Sequence, residues 1–315
     1  MLKLLSSTKL TVYLVFWLLL GVIANAEIYD HLVWITPPLI ALAINLIAAI
    51  ITTKKLRVEP FLLLFHISLL AIILIAGLNQ LGAHKGHVEV VEGGEFLGLL
   101  DEEKTGPWLL SSLEELRFTL LAMEVKYQAN GERNGTFARI QVTAPSNQKQ
   151  EFVIGDHHPF NYQGYRFYTT HNKGFALLIK WRPKGSENSQ LGAIHLPSYP
   201  ANALQQKLTW QPLGAKAEFW MHLIIDQNPL DKGIAIRLRP PQDAKLVVRR
   251  NKRYEMQAGQ TIDLPDGQLS YVGIRSWMGF KVQYDRLISW LLAAAIAAVL
   301  SLSAYLIQRR YFQTD

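Results

Sequence analysis

Apolar runs long enough to cross a bilayer stand near both ends of this chain, and between them lies a long stretch of short, alternating runs. The longest uncharged segment, Pro60 to Ala83, reads PFLLLFHISLLAIILIAGLNQLGA. About 20 helical residues span a hydrocarbon core of roughly 30 Å, so this segment predicts a membrane helix. Leu10 to Ala26 and Leu32 to Thr53 are uncharged runs before it, and Leu287 to Gln308 is another near the C-terminus. Lys3, Lys9, Lys54, Lys55, Arg57, Arg309 and Arg310 flank these runs. If the four runs cross in alternation, all of these cations fall on one face. The excess of Lys and Arg on cytoplasmic loops then places both termini inside and the middle region outside.

The first run also has the look of a signal peptide, with the small-residue spacing Ala24-Asn25-Ala26 of a cleavage site. A second uncharged run follows at once, which favours a retained helical hairpin. Pro37-Pro38 would break a helix in its interior, so the pair is expected to begin the second helix, with Trp34 at the membrane interface. Asn45, in mid-span, is expected to hydrogen-bond across helices.

From Gly82 to Arg286 the periodicity changes to that of strands. Phe118 to Tyr127, Phe137 to Thr143, Glu151 to Ile154, Arg166 to Thr170 and Ala176 to Trp181 read as strands. So do Ala217 to Ile225, Ile234 to Leu238, Lys245 to Val248 and Leu269 to Ile274. Turn signals at Asn130-Gly131, Asn134-Gly135, Lys184-Gly185 and Asp266-Gly267 separate several of them. Leu196 to Leu213 is less defined. Gly86 to Glu115, with its glycine pair, its charges at Asp101 to Lys104 and Gly106-Pro107, reads as a connection or as a segment lying over the bundle opening. The predicted fold class is an α-helical membrane anchor with four transmembrane helices plus a β-rich extracytoplasmic domain. Its divisions are a three-helix membrane region (1–85), the β-rich domain with its N-terminal linker (86–285), and a last helix with a cytoplasmic tail (286–315).

Composition narrows the chemistry. The chain has no cysteine, which excludes disulfides, thiolate metal sites, iron–sulfur clusters and thioether attachment of haem to this chain. The formal charge of +7 is divided among short juxtamembrane clusters and the middle region, so no nucleic-acid partner is expected. No zinc-peptidase pattern occurs, and no serine has a recognisable acid–base arrangement.

The candidate chemistry therefore rests on imidazoles, aromatics and cations. His66 lies inside the third apolar run, where an ionisable group is expensive and finds a partner; it is either bonded to a neighbouring helix or functional. His84 and His87 would face the same way on a helical turn, as an incomplete metal or haem site, or stand hydrated near the headgroups. His157 and His158 precede Pro159 and read as an exposed turn. Tyr162, Tyr165, Phe167, Tyr168 and Phe175 form either a sheet core and rim or, beside Arg166 and His171, a surface for a planar ligand. Trp277, Phe280 and Tyr284, just before the last apolar run, read as an interface belt. The basic run KLVVRRNKR, Lys245 to Arg253, suits anionic lipid headgroups, haem propionates or an acidic protein face, or is a solvated strand and turn.

Several stretches taken in order carry a resemblance. They are LLSSTKLTVYLVFWLLL at the start, FLLLFHISLL in the third run, YQGYRFYTTHNKG in the middle region, and LSYVGIRSWMGFKVQYD leading into the last run before Arg309-Arg310. Together the chain resembles the ResB/CcsB family, the haem-handling membrane proteins of system II cytochrome c biogenesis. The resemblance implies a CcsA-like multi-helix membrane partner, haem b that is transient and shared with that partner, delivery of reduced haem to the outer side, and apocytochrome c as the acceptor. It also implies that His66, at the place of a proposed axial haem ligand, is the cofactor-binding residue and the ligand of the haem iron; no catalytic residue is assigned. The implied location is the bacterial cytoplasmic membrane, with the soluble domain on the periplasmic side. The alternative is a non-catalytic assembly or scaffold subunit from the same family. The chain departs from the family pattern at Ala24-Asn25-Ala26-Glu27 and at Arg286-Leu287.

Overall fold

Away from water, an apolar run satisfies its backbone groups internally by forming a helix. The computed structural model of the chain follows that rule; it describes residues 2–27, 32–128, 132–143, 148–196, 207–212, 214–215, 218–225, 236–237, 240 and 244–312. The helices are α1 (Leu2–Leu5), α2 (Thr8–Glu27), α3 (Leu32–Thr52), α4 (Lys54–Val58), α5 (Pro60–Leu81) and α6 (Ile288–Phe312). Three of them, over Trp34–Thr52, Pro60–Leu81 and Ile288–Tyr311, are long and apolar enough to cross a membrane, while the apolar part of α2, Thr8–Ala24, is shorter.

The helices belong to one unit made of Met1–His84, Lys104–Leu110 and Tyr284–Asp315. Within it α5 packs on α3 and α6, and α2 packs on α3. Asn45 is buried in α3; its side-chain oxygen accepts a 2.8 Å bond from the Thr11 hydroxyl of α2, and its amide donates to the Leu5 carbonyl. The cross-helix bond expected of Asn45 is thus present. Pro37 and Pro38 do not begin α3 but lie inside it. The helix starts at Leu32, so the prolines fall in its second turn, where each removes one backbone donor near an end instead of at the centre. Asn79, near the end of α5, donates to Asp285 over 3.2 Å, just ahead of α6.

The second unit is Lys85–Glu103 with Ser111–Gln283. Its strands begin with β1 (His84–Val91), β2 (Glu95–Phe96), β3 (Asp101–Thr105), β4 (Phe118–Tyr127), β5 (Arg133–Thr143), β6 (Lys149–Gly155), β7 (Phe160–Tyr162) and β8 (Tyr165–Pro183). They continue with β9 (Gln190–His195), β10 (Lys207–Trp210), β11 (Phe219–Ile224), β12 (Ile236–Arg237), β13 (Lys245–Arg249), β14 (Arg253–Met256), β15 (Thr261–Leu264) and β16 (Gly267–Tyr284). One sheet has the order β3-β1-β16-β8-β7, with β15 on β16 and β9 on β8. A second runs β10-β11-β13-β14, and a third β12-β4-β5-β6 with β2 on β4.

The core is where inward-facing aromatics of these sheets meet. Phe118 of β4 stacks on Phe96 of β2 at 4.9 Å and meets Phe167 of β8 and Phe280 of β16 edge-on at 5.7 and 6.0 Å. Trp181 of β8 packs against Phe219 of β11 at 5.7 Å. Tyr165, Phe167 and Phe175 are fully buried, which decides for the core reading of that aromatic stretch.

Three sequence expectations for the strand region change. Gly86 to Glu115 is not mere connection, since it holds β1, β2 and β3, and β1 lies inside the largest sheet; alternate burial along β1 was masked by its glycine and charges. Asn134-Gly135 is inside β5, where Gly135 pairs with Lys126 and Asn134 is the extra residue of a bulge, so the pair makes no turn. Trp277 and Phe280 are buried core residues of β16, so they form no interface belt. Asn130-Gly131, and all but Ile236 and Arg237 of the run Ile234 to Leu238, lie outside the described residues.

Candidate functional site

A helix that carries one titratable side chain in an uncharged stretch fixes where that chemistry can sit. His66 is the seventh residue of α5, roughly 10 Å along the axis at about 1.5 Å per residue. Its Nδ1 lies 2.7 Å from the Leu62 carbonyl oxygen one turn earlier. A carbonyl oxygen only accepts, so Nδ1 is the donor, and in the neutral ring Nε2 keeps its lone pair. Metal-ligating histidines commonly hold their other N–H in this way, which sets both tautomer and ring orientation. The ring is half-buried, with the Phe65 ring edge-on at 5.2 Å, and no described residue bonds to Nε2. These features suit the imidazole to ligate a metal through Nε2.

The β-rich unit holds a second imidazole prepared in the same way, and the sequence did not single it out. His195 ends β9, and its Nδ1 pairs with Glu89 Oε2 of β1. The other oxygen of Glu89 accepts a 2.6 Å bond from Asn172 Nδ2 of β8. The His195 ring stacks on the Trp277 indole of β16, 4.9 Å away and inclined by 7°. Trp277 is itself pinned, because its Nε1–H donates to the Phe175 carbonyl over 3.0 Å. The hydrogen bond from His195 holds the Glu89 carboxyl below the usual carboxylate range, against partial burial that pushes it up; the charge of His195 and the Asn172 bond act in the same lowering direction. The side chains of His195 and Glu89 are 25% and 33% exposed.

Nothing in the spacing of Glu89, Asn172, His195 and Trp277 signals this grouping, because neighbouring strands of one sheet bring it together. Asn172 and Trp277 do fall within stretches that carry the family resemblance. Nearby in sequence, Lys173 is buried at 3% exposure. Desolvation lowers its pKa, Arg133 adds to that, and Asp156 opposes it; Asp156 is already paired with Arg133 at 2.7 Å.

The other candidates are dispersed. His84 and His87 lie on β1, not on a helical turn, and the strand buries the first and exposes the second. An odd offset on a strand points two side chains to opposite faces, so the pair cannot share a ligand. His157 and His158 are exposed in a turn, as expected. The basic run Lys245 to Arg253 forms the β13–β14 hairpin, with Arg249 opposite Arg253. Two of its charges are neutralised, Arg250 by Asp266 at 2.8 Å and Arg253 by Glu255 at 2.6 Å. Among the described residues no group of three or more His, Asp or Glu converges as a metal site.

The model of the ResB-like family matches the chain over residues 50–222, more than half of its length. The matched region contains His66, Glu89, Asn172 and His195 and ends before Trp277. No curated protein matches the chain.

Proposed function

The chain belongs to the ResB-like family, and from that premise we propose that it is a membrane subunit that assists delivery of haem across the bilayer and its attachment to apocytochrome c. The observation that carries this reading is the His66 imidazole, whose Nδ1–H is given to Leu62 and whose Nε2 is left for a metal. Haem in transit is the substrate. His66 holds its iron from one side, and a CcsA-like multi-helix protein supplies the second axial ligand and the attachment site.

In this reading the chain crosses the membrane four times. The outer side chains of α2, such as Val12, Phe16, Leu19 and Ile23, are 56–68% exposed, a surface suited to lipid and not to water. The basic clusters at Lys54 to Arg57 and Arg309-Arg310 then share the cytoplasmic face, and the β-rich unit is extracytoplasmic. His66 lies toward the cytoplasmic end of its helix, as suits a ligand that takes up haem from inside.

The test is purification with the native partner, followed by haem spectra and cytochrome c maturation for the native chain and His66→Ala. Loss or alteration of a low-spin haem signal, with impaired maturation and partial rescue by added imidazole, is expected. An unchanged spectrum and unchanged maturation, with normal expression and assembly, would leave a scaffold subunit as the better account. Recovery with a different partner would do the same.

A further inference from the structure

The surroundings of His195 orient its ring. Stacking on Trp277 fixes the imidazole plane, the Glu89 carboxylate takes Nδ1–H, and Asn172 holds that carboxylate from its other oxygen. In the neutral ring that gives Nδ1–H to Glu89, Nε2 is the nitrogen with a lone pair, on a side chain that is 25% exposed. A surface ion pair worth about 0–1 kcal/mol requires none of this preparation. A bare divalent cation would lack a chelating set among the described residues. No described hydroxyl bonds to the ring, and the chain has no thiol, so nucleophile activation has no nucleophile. A haem iron needs only one imidazole on a given face.

We propose that His195 Nε2 is an axial ligand for haem iron on the β-rich unit, a haem-accepting site separate from His66, with Glu89 as its positioning residue. The choice of haem rests on the function proposed above. If the β-rich unit is extracytoplasmic, this imidazole receives haem after His66 has released it. The carboxylate on Nδ1–H makes the imidazole a stronger donor and favours ferric over ferrous iron.

The test uses the purified full chain without its partner, titrated with ferric and ferrous haem and followed by absorption and electron paramagnetic resonance. His66→Ala should retain a histidine-ligated haem, and adding His195→Phe, which keeps an aromatic ring against Trp277, should abolish it. Glu89→Gln in the His66→Ala background should weaken binding by roughly 10–100-fold, as loss of an outer-shell partner does, and raise the midpoint potential. If His195→Phe does not fold, Glu89→Gln decides. Haem binding by the double variant equal to that of His66→Ala overturns the proposal. If His66→Ala alone abolishes all binding, the proposal falls and the His66 reading stands. If His195→Phe abolishes it while His66→Ala has no effect, the His195 site stands and His66 is decided in the complex with its partner. A native chain that takes up no haem overturns the His195 site, while the His66 reading, whose second ligand comes from the partner, is decided in the complex.

Discussion

Phe175 and Trp277, far apart in the chain, are joined by a buried 3.0 Å hydrogen bond from the indole N–H to the carbonyl oxygen. The same carbonyl accepts the Leu196 backbone N–H at 2.9 Å. Two donors thus use both lone pairs of one oxygen, and the bonds fasten β16 and the end of β9 to one point of β8. His195 is the residue before Leu196, so this point also sets where its ring meets Trp277.

Trp277→Phe should therefore destabilise the β-rich unit and loosen His195 together. The lost bond is worth about 1 kcal/mol, and the gap left by the smaller ring brings the total to roughly 1–3 kcal/mol. Denaturation of the full chain in detergent, followed by far-ultraviolet circular dichroism, measures the loss.

Stability should also depend on Glu89 in acid. Its pKa is lowered in the folded chain, first by the His195 hydrogen bond. A carboxyl with a lowered folded-state pKa contributes stability that is fully present above its ordinary range and disappears as pH falls through the lowered value. The stability difference between native chain and Glu89→Gln should then be largest near neutrality and shrink on acidification through that window. A difference independent of pH would show that the carboxylate charge has no part in it.

The helices were legible because long uncharged runs have few alternatives, and β4 was legible to the residue from its alternation. β1 was not, because His84 and Gly86 take two of the four positions on its buried face and leave only Val88 and Val90 apolar there, and what makes it a strand is its pairing inside the large sheet. His66 was visible as a lone imidazole in an apolar run. His195 had no such contrast in its surroundings, and its significance lies in contacts with β1 and β16 that no local window contains. Trp277 was misread for a related reason: an aromatic before a membrane run suggests an interface, until the long strand β16 carries it into the core.

Asp266→Asn should be among the costlier single changes in the hairpin region. Arg250 and Asp266 pair at 2.8 Å with side chains only 16% and 7% exposed, and the guanidinium lies 5.3 Å from the centre of the Phe219 ring. Removing one charge leaves the other buried, at a cost of roughly 3–5 kcal/mol. Replacing both by apolar residues, Arg250→Met with Asp266→Leu, should recover most of that loss in the same denaturation experiment.

The contact between α2 and α3 gives the last prediction. A Cβ on Gly21 would lie 2.2 Å from the Trp34 carbonyl oxygen, so Gly21→Val has to push the helices apart, since backbone on one side and helix on the other cannot yield. Thr11→Val removes the 2.8 Å bond to Asn45 and the same hydroxyl's 3.3 Å contact with the Ser7 carbonyl, a loss on the order of the 0.6 kcal/mol average for a side-chain bond between membrane helices. The chain has no native cysteine, so a pair introduced as Thr11→Cys with Asn45→Cys reports this packing without interference. Cross-linking should be efficient in the parent and strongly reduced by Gly21→Val. Equal cross-linking with valine at position 21 would mean that α2 does not approach α3 through Gly21, and a parent chain that does not cross-link would remove α2 from the helical unit.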